Sequence, residues 1–165
     1  MSVSIETQIG DLLQQRGWKL AVAESCTGGL IGHRITNVPG SSDYFTGGVI
    51  AYADEAKVKL LGVSWDTLKA CGAVSRETVL AMATGARRGL DADLAVSVSG
   101  IAGPGGGLPD KPVGTVWIGL VAPDGNRARV FHFPGDREQN KAAASEAALT
   151  MLLDYLQGNP DSDIS

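Results

Sequence analysis

Apolar residues recur along this chain with two different periods, and the switches between them mark out its elements. Ile5, Ile9, Leu12 and Leu13 are spaced by three and four, which sets them on one face of a helix from Ser4 to Arg16. Ser4 is suited to cap the orphan amides of that helix and Gly17 to end it. Leu20-Ala21-Val22-Ala23 is a short apolar run bounded by turn residues and reads as a buried strand. It leads through Glu24-Ser25-Cys26-Thr27-Gly28-Gly29 into a second helix over about Gly28 to Thr36, stopped by the turn cluster around Pro39.

Phe45 to Tyr52 is strand-like, Asp54 to Leu61 and Trp65 to Ala70 are short helices, and Ser75 caps a longer one that buries Val79, Met82, Ala83 and Ala86. Strands are expected over Leu94 to Val98 and Val113 to Val121, and after the turn Pro123-Asp124-Gly125 over Arg129 to Phe133. A final helix from Arg137 to Leu156 carries Ala144, Ala148, Leu152 and Tyr155 on one side. Strands alternating with helices predict a three-layer α/β/α sandwich with a mixed sheet. We expect one domain over residues 1–158 and a polar tail over 159–165.

Composition narrows the class. The 165 residues, 44% of them hydrophobic, suit a single domain with a real core. The 22 glycines follow no collagen period and alternate with apolar runs, so they mark turns. A net charge of −4, with no basic cluster longer than Arg87-Arg88, lacks the footprint of a nucleic-acid binder. No apolar stretch approaches the ~18 residues of a membrane span, and the start of the chain does not resemble a secretory signal. Two cysteines, Cys26 and Cys71, exclude a disulfide scaffold and fit the reducing cytoplasm. The two histidines, His33 and His132, form no ligand pair, so no metal is expected.

Chemistry is concentrated at the strand-to-helix turn Glu24 to Gly29, where a serine is exposed at a strand end beside unpaired helix amides. Ser25 is the candidate nucleophile; a plainer reading is that Ser25 and Thr27 only cap the second helix. The G-x-S-x-G elbow is absent, and His33 and His132 sit in positions that suit structure better than catalysis, which disfavours a Ser-His-Asp triad. The remaining bases are lysines. Lys57 and Lys59 lie in a short helix where solvation is the ordinary state, but a desolvated lysine can deprotonate serine, and Tyr52 by itself reads as a core residue with a polar tip. The loop Ser99-Gly100-Ile101-Ala102-Gly103-Pro104-Gly105-Gly106-Gly107 is neither a P-loop nor G-x-G-x-x-G, and is either a plain flexible loop or a ligand loop of bare amides.

Four segments taken together, Ala23 to Gly29, Tyr52 to Lys57, Ser99 to Pro104 and Lys111 to Trp117, closely resemble the CinA C-terminal domain family. The likeness runs from the first helix to the last and includes Gly40-Ser41-Ser42 and Gly135-Asp136-Arg137. It implies hydrolysis of nicotinamide mononucleotide to nicotinic acid mononucleotide and ammonia in pyridine nucleotide recycling. It also implies Ser25 as nucleophile, with Lys57 and Tyr52 as its partners. On that reading amides near Cys26, Thr27 and Gly28 receive the oxyanion, and Gly100, Ala102 and Gly103 line the substrate site. Arg137 is the candidate phosphate contact. No cofactor is required; the partner is a small nucleotide, not nucleic acid or membrane. Family members often carry an N-terminal domain, whereas this chain is expected to act alone, as a homodimer or higher homo-oligomer. The rivals are a non-catalytic nucleotide-binding regulatory module that keeps the glycine-rich pocket, and an amidase of another small carboxamide.

Overall fold

The computed structural model describes residues 2–159, so all of the expected tail except Asn159 lies outside the described residues. Its sheet has five strands, β1 (Leu20–Glu24), β2 (Phe45–Ile50), β3 (Leu94–Gly100), β4 (Thr115–Ala122) and β5 (Gly125–His132), in the order β2-β1-β3-β4-β5. β1 is parallel to β2 and β3, while β3–β4 and β4–β5 are antiparallel, so the sheet is mixed as expected. The helices are α1 (Ile5–Arg16), α2 (Leu30–Thr36), α3 (Asp54–Leu61), α4 (Trp65–Cys71), α5 (Arg76–Gly89) and α6 (Arg137–Leu156).

Side chains of a strand alternate between faces, and that parity sorts the helices into two layers. Leu20 and Val22 of β1, with Val96, Val98, Ile118 and Leu120, pack against α1, α2 and α6 through residues such as Ile9, Leu13, Ile31, Ile35, Ala148 and Leu152. Ala21, Ala23, Ala95 and Val121 face the other way and meet Leu61, Leu68, Met82, Ala83 and Ala86 of α3, α4 and α5. Each fully buried Leu or Ile contributes about 1.5–3 kcal/mol.

The second face is built from small residues, and this brings α5 close. A Cβ on Gly119 would lie 2.9 Å from the Val79 carbonyl, and a Cβ on Gly85 only 1.9 Å from the Leu61 carbonyl. Gly85 therefore lets the end of α3 lie directly on α5, which fixes α3 beside the end of β1. On the opposite side Arg34 of α2 donates to Glu6 and Glu146 at 2.7 Å each, and to Ser145, tying α2 to α1 and α6.

Several boundaries differ from the expected ones for local reasons. α2 begins at Leu30, not Gly28, because Gly28 and Gly29 take φ of 63° and 103°, outside the right-handed helical region. β2 stops at Ile50 instead of Tyr52 because the Ala51 and Tyr52 carbonyls turn to Lys57. β4 starts at Thr115, after Gly114, where a Cβ would lie 1.9 Å from the Phe133 carbonyl. β5 starts at Gly125, because the hairpin turn takes only Pro123 and Asp124 and the ladder resumes with Ala122 opposite Gly125.

Candidate active site

Strand parity divides the chemistry at the end of β1. Glu24 follows Leu20 and Val22 toward α2, and Ser25, one residue on, follows Ala21 and Ala23 toward α3. The Ser25 amide donates to the Val98 carbonyl at 3.0 Å, which holds the residue in line with β3 after β1 has ended. Ser25 is 7% exposed.

Lys57, in the first turns of α3, is 1% exposed and is the largest of the fully buried side chains. Its Nζ lies 3.0 Å from Ser25 Oγ and donates to the Ala51 and Tyr52 carbonyls, also at 3.0 Å. The solvated-lysine reading is thus overturned for Lys57, though it holds for the exposed Lys59. Burial lowers the Lys57 pKa from its ordinary value; the Asp54 carboxylate, 4.0 Å away and half exposed, opposes that without reversing it. As a neutral amine Lys57 has two N–H bonds and one lone pair. Two carbonyls take the N–H bonds, and the lone pair then faces the Ser25 hydroxyl, which is the arrangement a general base requires.

Tyr52 enters by its backbone. Its side chain is 59% exposed, not core, and its hydroxyl accepts from Arg137 Nη2 at 2.8 Å, while its backbone carbonyl, not its phenol, accepts from Lys57. The phenol is free to be exposed because the lysine already has its partners within the backbone.

The capping reading of Ser25 and Thr27 is also replaced. The buried Glu24 carboxylate accepts from Thr27 Oγ1 at 2.6 Å and from the Gly29, Ile31 and Gly32 amides at 3.0–3.2 Å, so a strand residue caps α2. The Gly28 amide donates to the Ser25 carbonyl. Gly28 is therefore withdrawn from the expected oxyanion site. Among the described residues the Cys26 and Thr27 amides of this turn donate to no protein oxygen. Nothing in the sequence beyond the position of Glu24 at a strand end announced this cap.

A cleft of about 170 Å³ opens above these groups, lined by Ser25, Cys26, Tyr52, Asp54, Lys57, Ala73, Val74, Ser99, Gly100 and Ala102. Gly100 has no room for a side chain, since a Cβ would lie 2.5 Å from Val116 Cγ2. Ser99 follows the parity of Ala95 and Ser97 and lines the Ser25 side of the cleft, a site position that sequence reasoning missed. Asn140 was missed as well: it is 1% exposed, donates to the Ala102 and Gly135 carbonyls and accepts from the Gly135 amide, which pins the glycine-rich loop to the start of α6. Gly103 has φ of 91° and its carbonyl accepts from Arg137 Nη1 at 2.6 Å. The loop is therefore tethered at this end rather than plainly flexible. Arg137 lines an adjoining cleft of about 460 Å³ that shares Ala102 with the first.

Neither histidine lines this cleft, whereas Cys26 does. His33 and His132 are exposed, the latter with Nδ1 3.4 Å from Thr115 Oγ1. Cys26 packs into the apolar cluster of α1, α2 and α6, and burial pushes its thiol up to about 11. Among the described residues no group of His, Cys, Asp and Glu is placed to hold a metal ion, and no helix is long and apolar enough to cross a membrane.

Residues 2–156 match the model of the CinA C-terminal domain. The chain belongs to that family. A CinA-like protein of Chloroherpeton thalassium is 50% identical over 159 residues, which cover 94% of this chain but 38% of that protein. The chain thus spans under two fifths of the length of the curated relatives it matches. Among solved structures, a CinA superfamily protein of Klebsiella pneumoniae has a TM-score of 0.90 at 35% identity, covering 93% of this chain and 96% of its own. The competence/damage inducible protein CihA of Agrobacterium tumefaciens has 0.85 at 39%, covering 95% and 99%. The mixed α/β sandwich is therefore the CinA domain fold, and the Ser25–Lys57 cleft lies at the carboxyl ends of its parallel strands, where open α/β sheets carry their ligands.

Proposed function

We propose that this CinA domain is a serine–lysine amidohydrolase that converts nicotinamide mononucleotide and water to nicotinic acid mononucleotide and ammonia. The observation that carries amide hydrolysis is the buried Lys57 Nζ 3.0 Å from Ser25 Oγ, with its other hydrogen-bonding positions taken by two carbonyls. The substrate is inferred from the family resemblance of the Ser25, Tyr52 to Lys57 and Ser99 to Pro104 segments; the names of the relatives specify no reaction.

In this reading neutral Lys57 takes the Ser25 proton as Oγ attacks the carboxamide carbon. The developing oxyanion is received by the Cys26 and Thr27 amides. Protonated Lys57 returns its proton to the amide nitrogen, the C–N bond breaks, and ammonia leaves an ester on Ser25. Water then attacks that ester, again giving its proton to Lys57, and release of the acid restores Ser25. Tyr52 and Arg137 serve to hold substrate at the mouth, and no cofactor takes part.

The test is ammonia release from nicotinamide mononucleotide by the purified protein, with Ser25→Ala as control. Release that disappears in Ser25→Ala supports the reading. Saturable binding of the nucleotide without any ammonia would instead make the protein a nucleotide-binding module. Turnover of other pyridine carboxamides in preference to the mononucleotide would move it to a different amidase substrate.

A further inference from the structure

α3 starts beside the cleft, and no side chain caps it. Its first turn instead carries two carboxylates, Asp54 and Glu55, which sit favourably against the positive end of the helix. Asp54 also lines the cleft. It is half exposed, and among the described residues no donor hydrogen-bonds its carboxylate. Its ion-pair contact with Lys57 Nζ, at 4.0 Å, is too long to be a hydrogen bond.

The other residues that line the cleft are uncharged, except Lys57, whose active form is the neutral amine. Ala73 and Val74 add apolar wall opposite these polar groups. The working cleft therefore holds one full charge, and it is negative. A cleft lined by one sign of charge between low-dielectric walls concentrates ligands of the other sign. Asp54 Oδ1 is 4.0 Å from Lys57 Nζ, which is 3.0 Å from Ser25 Oγ, so the carboxylate lies no more than about 7 Å from the attacking atom. A carboxamide held at Ser25 brings the ring that bears it into the field of Asp54.

We propose that Asp54 selects carboxamides borne on a cationic aromatic ring, as the counter-charge to an N-alkylated pyridinium. The inference rests on the amidohydrolase reading and sharpens it. In nicotinamide mononucleotide the ring nitrogen carries a full positive charge and stands two bonds from the carbon that bears the carboxamide. Hydrolysis turns the neutral carboxamide into a carboxylate, which Asp54 repels. One side chain thus favours the substrate through its ring and disfavours the product through its new charge. Asp54 touches no reacting bond in this scheme; it determines specificity.

The experiment measures binding by calorimetry to Ser25→Ala, which cannot turn over, and to Ser25→Ala carrying Asp54→Asn. The ligands are nicotinamide mononucleotide, its 1,4-dihydro form, which keeps the carboxamide, ribose and phosphate on an uncharged ring, and nicotinic acid mononucleotide. Ser25→Ala should prefer the pyridinium to the dihydro form by about fivefold, the scale of one partly exposed ion pair, and Asp54→Asn should bring the two within about twofold. Nicotinic acid mononucleotide, whose ring and carboxylate act on Asp54 in opposite senses, should change by less than about twofold. A merely structural role would weaken all three ligands alike. Loss of Asp54 also makes Lys57 easier to deprotonate, which would favour the cationic ligand, so a narrowed preference cannot come from the lysine. A pyridinium preference that is absent with Asp54 in place, or that persists in Asp54→Asn, overturns the proposal. The expected preference in a protein whose wild type releases no ammonia would leave the pyridinium site standing and sink the amidohydrolase reading, whereas failure to bind any of the three sinks both.

Discussion

Glu24 and Ser25 are consecutive residues at the end of one strand, yet they anchor two buried polar clusters of opposite character. On the α2 face the Glu24 carboxylate is enclosed by four donors, three of them backbone amides of the same turn and helix. On the α3 face the Lys57 nitrogen is enclosed by a hydroxyl and two carbonyls, and the nearest carboxylate, on Asp54, is 4.0 Å away and half exposed. The first cluster meets the charge with four donors, about as many as a carboxylate can accept, and holds the turn fixed. The second supplies dipoles without a close counter-charge, so burial can push the lysine toward neutrality. One side of the strand is arranged for rigidity and the other for proton transfer, and the single-residue parity of a β-strand keeps them apart.

The largest expected effects break the reactive side. Ser25→Ala should lower kcat by on the order of 10⁴ or more, since it removes the attacking atom. Lys57→Met, similar in shape and uncharged, should cost about 10²–10⁴, the usual worth of a general base. Lys57→Arg keeps the charge, cannot deprotonate, and should be as inactive. All three should retain wild-type far-ultraviolet circular dichroism. Near-normal turnover in either Lys57 variant would mean that the base lies elsewhere.

Breaking the other side should act on stability. Glu24→Ala leaves the Gly29, Ile31 and Gly32 amides and the Thr27 hydroxyl without their acceptor in a buried setting, and should cost about 3–5 kcal/mol in chemical denaturation. Glu24→Gln retains one acceptor oxygen but turns an NH₂ toward amide donors, and about 1–3 kcal/mol is expected. If Glu24→Gln folded with wild-type stability and lost only activity, the division between a rigid and a reactive side would fail.

The pH dependence sharpens the comparison. Activity should rise with pH along a limb centred below the free-lysine value of about 10.4, because the neutral form of Lys57 is the active one. A lysine whose folded pKa is lowered binds fewer protons than in the unfolded chain between the two values. Folding stability therefore rises with pH across that window, from the lowered value toward the ordinary one. Lys57→Met should flatten this rise. An activity limb centred at or above the free-lysine value would exclude a buried lysine base.

How much of this was legible in the sequence depends on the range of the interaction. Periodicity gave the helices and strands because it reports local burial, and the alternation of elements gave the layers. The edges of elements shifted where tertiary contacts decide them: Lys57 draws the Ala51 and Tyr52 carbonyls out of β2, and the left-handed Gly28 and Gly29 delay α2. In the site, Lys57 stood in a short helix with no local sign of burial; its desolvation depends on Gly85, 28 positions later, which lets α3 settle on α5. Glu24 and Asn140 escaped notice because a buried carboxylate or amide is defined by its donors, and those come from backbone whose direction the sequence does not state.

The smallest expected effect concerns the residue that follows Glu24 and Ser25. Cys26 follows Ser25 directly and, as a thiolate, would be the stronger nucleophile. Its side chain lies in the α1, α2 and α6 cluster at 5% exposure, and burial raises its pKa to about 11. At neutral pH it is therefore a protonated apolar group. Cys26→Ala should keep turnover within about threefold and cost roughly 1 kcal/mol of packing, as for other small truncations in a core. Native protein treated with iodoacetamide should be labelled at the half-exposed Cys71 before Cys26. The sign of its pH effect is opposite to that of Lys57. A thiol whose folded pKa is raised holds its proton longer in the fold, so its contribution is complete below the ordinary value near 9 and is lost as pH climbs toward 11. Cys26→Ala should remove that alkaline decline in stability while leaving the activity limb of Lys57 in place. If it abolished turnover while Ser25→Ala remained active, the reactive cluster would lie on the α2 side of the strand, and the assignment of the two sides would have to be reversed.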